Sequence, residues 1–507
     1  MPAPQPAPRR GSARAALLVA AGLVAIAAAP ALAQDASYPP IPASDLTSPV
    51  APFVYSHDTA IANGATAEWR KMEGVAATAA ADRLYIAITD IGKGMADTEG
   101  AIQYPKNPCG AVFEGALDAS GDLASLTPVV IGGPFDEATS TCADDAISNP
   151  DNLFVAPNGD LWIGEDTDFH KNQVLWVWDG TTAKRFATMP AGAEVTGLRV
   201  EPDGTIFLNV QHPSATNAYP FNRATVGVIT GFKAGDAFEP VGVPEGDAAN
   251  TLTLAAGTYQ VLGRTGEPLP GTTTSQTFGE QPTKDGSVLP DCNNPDGNMF
   301  LPTTSAGTEG YLYTNWECVP GGASKLYIRQ AADGTWESIE GGQVDFSSVH
   351  GTQNNCNASV TPWNTALTSE EYPPDVQSEW DAFTATKDNL AASWGTEPDP
   401  LQLGYIVEMT PAGGEDNGIG TDLVKHYAMG RFSHEMAYVL PDATTVYFGD
   451  DGTDRVLYKF VADTAGDLSA GTLSAAKVTQ DGDTLSLTWI ALGSGNDADI
   501  AAALAAS

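Results

Sequence analysis

Cys356 stands in the stretch GTQNNCNASVTPWNTALTSEE, and the pair Glu370 and Glu371 follows it across a rigid Pro–Trp turn. A thiolate brought near carboxylates suits a redox-active transition metal better than it suits calcium alone. The plainer reading of an odd cysteine is a buried, inert thiol. Five cysteines occur in the chain. Cys109 with Cys142, and Cys292 with Cys318, are sequence-near pairs of a size that closes a loop. Each bond is worth about 3–4 kcal/mol on the chain-entropy estimate. That pairing leaves Cys356 over.

Other residues have two uses. Asp450 and Asp451 in GDDGTD fit a hairpin turn as well as a calcium loop. Asp166 and Asp168 in GEDTDF are either solvated acids or a strand-end pair facing a cation. Gln211, His212 and Pro213 end a strand, where a lone histidine is commonly a hydrogen-bonded structural residue. His434 precedes Glu435 and is placed to orient it. Trp162, Trp176 and Trp178 read as packing residues. No Gly-x-Ser-x-Gly nucleophile elbow is present.

The elements that must position these residues are strands. RLYIAITDI, GDLWIGED, VLWVWDG, GTIFLNVQ, GYLYTNWE, KLYIRQ, TVYFGDD and RVLYKFV are short β-branched and aromatic runs closed by Gly, Asp, Asn or Pro. Three share one grammar, a turn such as PNGD, EPDG or LPDAT, then an alternating strand, then an acidic or polar loop. Its recurrence in both halves of the chain predicts an all-β fold, a β-propeller with few helices and long inserted loops. Helical patterning is weak except around SEEYPPDVQSEWDAFTATKDNLAASW, and residues 214–300, rich in Thr, Gly and Pro, read as a long decorated insertion or an irregular blade. Residues 34–507 are expected to form one propeller domain, since propellers grow by adding blades.

Composition narrows the partners. The chain has 507 residues, a formal net charge of −39 and 42% hydrophobic residues. The apolar fraction is too high for a disordered acidic tail. So negative a surface repels phosphate backbones and anionic membranes, so neither a nucleic-acid nor a membrane partner is expected, and a monomer is. At the N-terminus, Arg9, Arg10 and Arg14 precede AALLVAAGLVAIAAA and then PALAQ. This pattern predicts a secretory signal peptide over residues 1–33 and a secreted or periplasmic product. The Arg9–Arg10 pair leaves the general secretory and twin-arginine routes both open.

Several separate blocks resemble the PhoX-type secreted bacterial alkaline phosphatases. The Cys356 stretch is similar to that family's Asn-Cys…Thr-Pro-Trp-Gly-Thr…Glu-Glu run. FSHEMAYV (432–439) and YFGDDGTDRVLYKFV (447–461) are similar to its His-Glu and Gly-Asp-Asp…Tyr-Lys-Phe blocks. NPDNLFVAPNGDLWIGED (149–166) and AEVTGLRVEPDGTIFLNVQHP (193–213) resemble its Pro-Asp-Asn-Leu and Glu-x-Thr-Gly…Gln-His-Pro blocks. ATAEWRKMEGVA (65–76) resembles its Arg-Pro-Glu block, and NWE (315–317) its Asn-His-Glu. Their order is exchanged, with the family's closing set opening this chain. That order implies a circular permutation, which a ring of blades tolerates. It carries the expectation that the strand near 484–492 lies beside an N-terminal strand.

The resemblance implies hydrolysis of phosphomonoesters at a cluster of ferric iron and calcium in the propeller channel, with a metal-held oxide or hydroxide as nucleophile. Carried over block by block, Cys356, Glu73 and Glu435 would be ligands of a pair of irons, and Glu371, Asp151 and Glu194 would be calcium or bridging carboxylates. Lys71 and His212 would be the catalytic and phosphate-binding side chains, joined by Gln211 in substrate binding. The sequence departs from the pattern near this site. Lys71 stands for the family's phosphate-clamping arginine and offers a point charge without a bidentate fork. Met72, Asn364, Ala358, Ser359, Ser369 and Trp316 also replace family residues. Two rivals stay open: a calcium-dependent propeller hydrolase of the phytase or lactonase kind, and a non-catalytic binding propeller stapled by metals.

Overall fold

Short apolar runs such as Arg83–Ile88, buried on both faces from Leu84 onward, pair edge to edge in repeated antiparallel sets. The computed structural model describes residues 39–506 apart from 272–275 and 413–419. The expected signal peptide, residues 1–33, lies outside the described residues.

Among the described residues six antiparallel blades follow one another along the chain, blades 1 and 6 being joined edge to edge into one nine-stranded sheet. Blade 1 is Met72–Ala77, Arg83–Ile88, Ala111–Ala116 and Ser125–Ile131, and blade 2 is Pro150–Val155, Leu161–Glu165, Val174–Trp178 and Ala183–Thr188. Blade 3 is Glu194–Val200, Ile206–Gln211, Thr225–Thr230 and Thr258–Arg264. Blade 4 is Pro295–Pro302, Glu309–Trp316, Gly322–Gln330 and Trp336–Gln343. Blade 5 is Asn355–Val360, Ala366–Glu370, Ile406–Pro411 and Thr421–His426. Blade 6 is His434–Val439, Thr445–Asp450, Tyr458–Thr464 and Asp467–Asp481, extended by Thr484–Asn496. The first strand of each blade contacts the first strand of the next, and that of blade 6 returns to blade 1. This is a closed β-propeller.

The core confirms the ring. Its buried apolar residues fall into six clusters, each filling one interface between neighbouring blades. Phe207 of blade 3 meets Phe300 of blade 4 with centroids 5.2 Å apart, and Tyr447 of blade 6 is buried with Phe113 of blade 1. Each such ring buried in full contributes about 1.5–3 kcal/mol, so closure is distributed over every interface.

The strand expected near 484–492 runs from Thr484 to Asn496 and pairs with Ser125–Ile131, the outer strand of blade 1, through Leu485–Leu126 and Ser486–Ser125. The N-terminal segment joins the same seam, with Thr66 N–H donating to the Ala476 carbonyl at 3.0 Å. Helical residues Phe53, Ile500 and Leu504 share one cluster, so both ends of the propeller chain are anchored at blades 5 and 6.

Two expectations gain detail. Of the two readings of residues 214–300, the irregular blade fits better than the insertion: they supply two strands of blade 3, the edge strand Thr253–Leu254 of blade 2 and the start of blade 4. The helical stretch begins only at Gln377, after Pro373 and Pro374, and runs as Gln377–Ala382 and Thr384–Trp394.

Candidate metal centre

The first strand of each blade starts at the channel, and its opening residues carry the chemistry. The second residue of that strand is Glu73 in blade 1, Asp151 in blade 2, Asp296 in blade 4, Cys356 in blade 5 and Glu435 in blade 6. In each of these five blades the register with the neighbouring strand shifts immediately around that residue. A bulge re-aims one side chain and leaves the flanking ladder intact, and here it turns the acid or thiol toward the channel. Blade 3 differs: Glu194 is its first residue and the bulge comes later, after Thr196.

A second set comes from the residue directly after each blade's second strand. These residues are Thr89, Asp166, His212, Glu317, Glu371 and Asp451. Both sets converge because, in every bulged blade, the first residue of the inner strand pairs with the last residue of the second strand. The inner strands also approach closely. A Cβ on Gly74 would lie 2.2 Å from the Asp151 carbonyl oxygen, and one on Gly297 would lie 2.4 Å from the Ala358 Cβ.

The resulting cavity, about 260 Å³, is lined by nine carboxyl groups, the Cys356 thiol, Lys71, His212, Asn294 and Tyr372. The Cys356 thiol donates to Asp296 Oδ2 at 2.9 Å. Lys71 Nζ reaches Glu73 Oε1 at 2.6 Å and Asp451 Oδ1 at 3.4 Å. His212 sets Nε2 3.0 Å from Glu194 Oε2 and Nδ1 3.0 Å from the Gly192 carbonyl. The Tyr372 hydroxyl donates to Asp451 Oδ2. Lys71, His212 and Tyr372 are non-glycine residues at φ +44°, +36° and +47°. Such conformations cost of order 1–3 kcal/mol each and gather at functional sites.

Burial and mutual repulsion dominate the electrostatics. Burial raises the pKa of Glu73, Asp151, Glu194, Glu371 and Glu435 well above the usual carboxylate range, and neighbouring carboxylates add to it. Asp296 and Glu317 are pushed up to about 7, again mainly by burial. The Cys356 thiol is raised by burial and then by Asp296 and Glu371. Burial opposes the charge on Lys71, but Glu73 and Asp451 outweigh it and hold the ammonium. So many buried acids facing one lysine call for cations to compensate them.

The donor set fits metal ions. Asp296 Oδ1 and Glu435 Oε2 are buried without a hydrogen-bond partner. Five triads have ligand atoms within 4.8 Å of one another: Asp296–Cys356–Glu435, Glu317–Cys356–Glu371, Glu73–Asp151–Glu435, Glu73–Glu371–Asp451 and Asp151–Asp166–Glu194. Two contain the thiol and three are all-oxygen, the donor preferences of a transition metal and of calcium respectively.

All six residues expected to hold metals line this cavity. Cys356 and Glu73 share no triad, and Glu435 belongs with each of them separately. Lys71 and His212 stand at the rim, their side chains 26% and 39% exposed. Gln211, expected at the substrate, is buried and donates from Nε2 to Glu317 Oε2 at 2.8 Å. His434 does not orient Glu435: its Nε2 meets the Gly430 carbonyl at 2.9 Å and its ring packs on Phe432. Asp450 accepts from Val456 N and faces Arg455, leaving Asp451 to the cavity.

Asp296 and Glu317 were missing from the expected ligands, as was Tyr372 from the site. Asp296 had a signal, since Asn294-Pro295-Asp296 repeats Asn149-Pro150-Asp151. Beside the cavity a larger cleft of about 590 Å³ opens between blades 1 and 2, sharing Lys71, Asp166 and His212 with it.

The family described as alkaline phosphatase PhoX matches residues 51–214 and 324–506. No curated protein sequence matches. Among solved structures, Pseudomonas fluorescens PhoX in complex with vanadate, a transition state analogue, is similar at 21% identity and a TM-score of 0.29. That match covers 39% of this chain and 49% of the other, so the chain spans about half the length of that protein. The Dos1 propeller is similar at 9% identity over 84% of this chain and 94% of its own, with a TM-score of 0.34. The β-propeller domain of Myceliophteria thermophila Cps50 (Swd1) is similar at 10% identity over 84% and 99%, with a TM-score of 0.35.

Proposed function

The chain belongs to the PhoX alkaline phosphatase family, and from that premise we propose that it is a secreted, metal-dependent phosphatase that hydrolyses phosphomonoesters at the channel cluster. The observation that carries this reading is the convergence of nine carboxyl groups and one thiol on a single cavity with Lys71 and His212 at its rim. Ferric iron and calcium are the proposed ions. Cys356, Asp296, Glu435, Glu317 and Glu73 would hold a pair of irons, Glu371 would bridge, and the all-oxygen group Asp151, Asp166 and Glu194 would hold calcium. Bound there, the cations would neutralise the carboxylates, attract a phosphate dianion and supply an activated water.

The chain's own residues do the rest. Lys71, fixed by Glu73 and Asp451, presents one positive charge to a phosphoryl oxygen at the mouth. Tyr372 holds Asp451 from the other side and so limits where Lys71 can swing. His212, tethered to Glu194 and the Gly192 carbonyl, stands partly exposed where a leaving alcohol must receive its proton. Export through the signal peptide and a circularly permuted blade order belong to the same reading. The seam between the Thr484–Asn496 strand and blade 1 supports the latter.

Metal analysis and a visible spectrum of the purified protein test the ions. Hydrolysis of a chromogenic phosphomonoester, lost in Glu435→Gln, tests the activity. A colourless protein holding calcium alone, or an iron-loaded protein without activity, would end the proposal.

A further inference from the structure

We infer that the cleft between blades 1 and 2 is a leaving-group pocket for sugar or polyol phosphates. The inference rests on the phosphomonoesterase reading. The cleft adjoins the metal cavity through Lys71, Asp166 and His212, so an ester whose phosphate lies at the rim has its alcohol directed into it. Its volume of about 590 Å³ is more than twice that of the cavity beside it, and far beyond what a phosphate fills.

The wall chemistry suits hydroxylated carbon. Phe169 lines the cleft half-buried, and Asp168 and Lys171 flank it exposed on the same loop. Neither Asp168 nor Lys171 makes an ion pair or hydrogen bond with another described residue, so both are free for a ligand. An aromatic face takes the C–H face of a sugar, while a carboxylate and an ammonium take its hydroxyls as donor and acceptor.

The wall is also braced. Phe169 packs edge-on against Phe135 at 5.0 Å, and its carbonyl accepts from Cys142 N at 3.2 Å. The Cys109–Cys142 disulfide ties that hairpin to the opposite wall at Pro108. His170, next to Phe169, is pinned by Glu165 at 3.0 Å and the Ala143 carbonyl at 3.2 Å. A fixed aromatic wall binds with little ordering cost.

The test compares kcat/KM for glucose 6-phosphate and for ethyl phosphate in the metal-loaded protein and in Phe169→Ala. The expected result is a selectivity ratio reduced about tenfold, the size of losing one apolar contact in a pocket. A ratio unchanged in Phe169→Ala overturns the inference. A second arm is independent of turnover: calorimetric binding of the non-hydrolysable phosphonate analogue of glucose 6-phosphate, expected to weaken about tenfold in Phe169→Ala. Unaltered binding there overturns the pocket. Absence of any monoesterase activity in the wild type fells the phosphatase reading, while the calorimetric arm still decides the pocket.

Discussion

Cys356 Sγ lies 2.9 Å from Asp296 Oδ2, a contact between the inner strands of blades 5 and 4 across sixty residues of chain. Each is the second residue of its strand, turned inward by the same bulge. Removing either donor is therefore expected to harm the same ion. Cys356→Ser and Asp296→Asn should each lose iron and lower phosphatase activity by at least about 100-fold, more than loss of an outer partner costs. Iron content by elemental analysis and turnover of a chromogenic monoester check this.

Lys71 offers charge without a fork. Lys71→Met is expected to raise KM about tenfold or more and to weaken inhibition by inorganic phosphate, as loss of one charge-assisted contact does. Lys71→Arg should retain phosphate inhibition at or above the wild-type level. Steady-state kinetics with phosphate as competitor separates the two outcomes.

Tyr372 acts through Asp451. Tyr372→Phe removes one hydrogen bond to a carboxylate, worth about 1.5–3 kcal/mol, so activity should fall about tenfold or more with the metal content unchanged. Elemental analysis beside kinetics distinguishes this from loss of a ligand.

His426 fastens the C-terminal helix. Its Nε2 lies 3.0 Å from Glu408 Oε2 and its Nδ1 3.0 Å from Asp497 Oδ2, while Asp497 Oδ1 also accepts from Ala428 N at 2.8 Å. Burial opposes its charge, but the bonds from Asp497 and Glu408 outweigh it and raise the pKa from 6.5 to about 9. A raised folded-state pKa gives stability that is full below pH 6.5 and is lost as pH rises through about 9. The contribution is on the order of 3 kcal/mol. Thermal unfolding of the wild type should thus lose stability over that window relative to His426→Gln, whose profile should be flatter there.

Chelation is expected to lower the unfolding temperature, since the nine carboxyl groups then face one another uncompensated. One ion at a thousandfold excess over its Kd contributes about 4 kcal/mol. Calcium returned alone should recover part of the stability and none of the iron colour. Calorimetry and absorbance read both.

Much of the fold is local information. Strands such as Leu161–Glu165 declare themselves by β-branched and aromatic residues closed by turns, and a propeller repeats that pattern without distant instructions. Glu73, Asp151, Glu194, Cys356, Glu371 and Glu435 were legible because each sits in a short block that keeps enough of its pattern to be recognised, even where Lys71, Met72, Ala358 and Ser369 depart from it. Asp296 and Glu317 lie at the same structural positions within weaker blocks. Nothing linear marks the bulges that aim Asp296 and Cys356 at one point.

The residue types, their place at strand starts and ends, and the odd cysteine were fixed by the chain alone, because strand propensity and turn chemistry act over a few residues. Which carboxylate faces which, that Gln211 turns to Glu317 and not to the rim, and that His434 packs on Phe432 were decided by closure of the ring. Those outcomes depend on bulge register and on the close approach of inner strands at Gly74 and Gly297, which arise only when six blades share one axis.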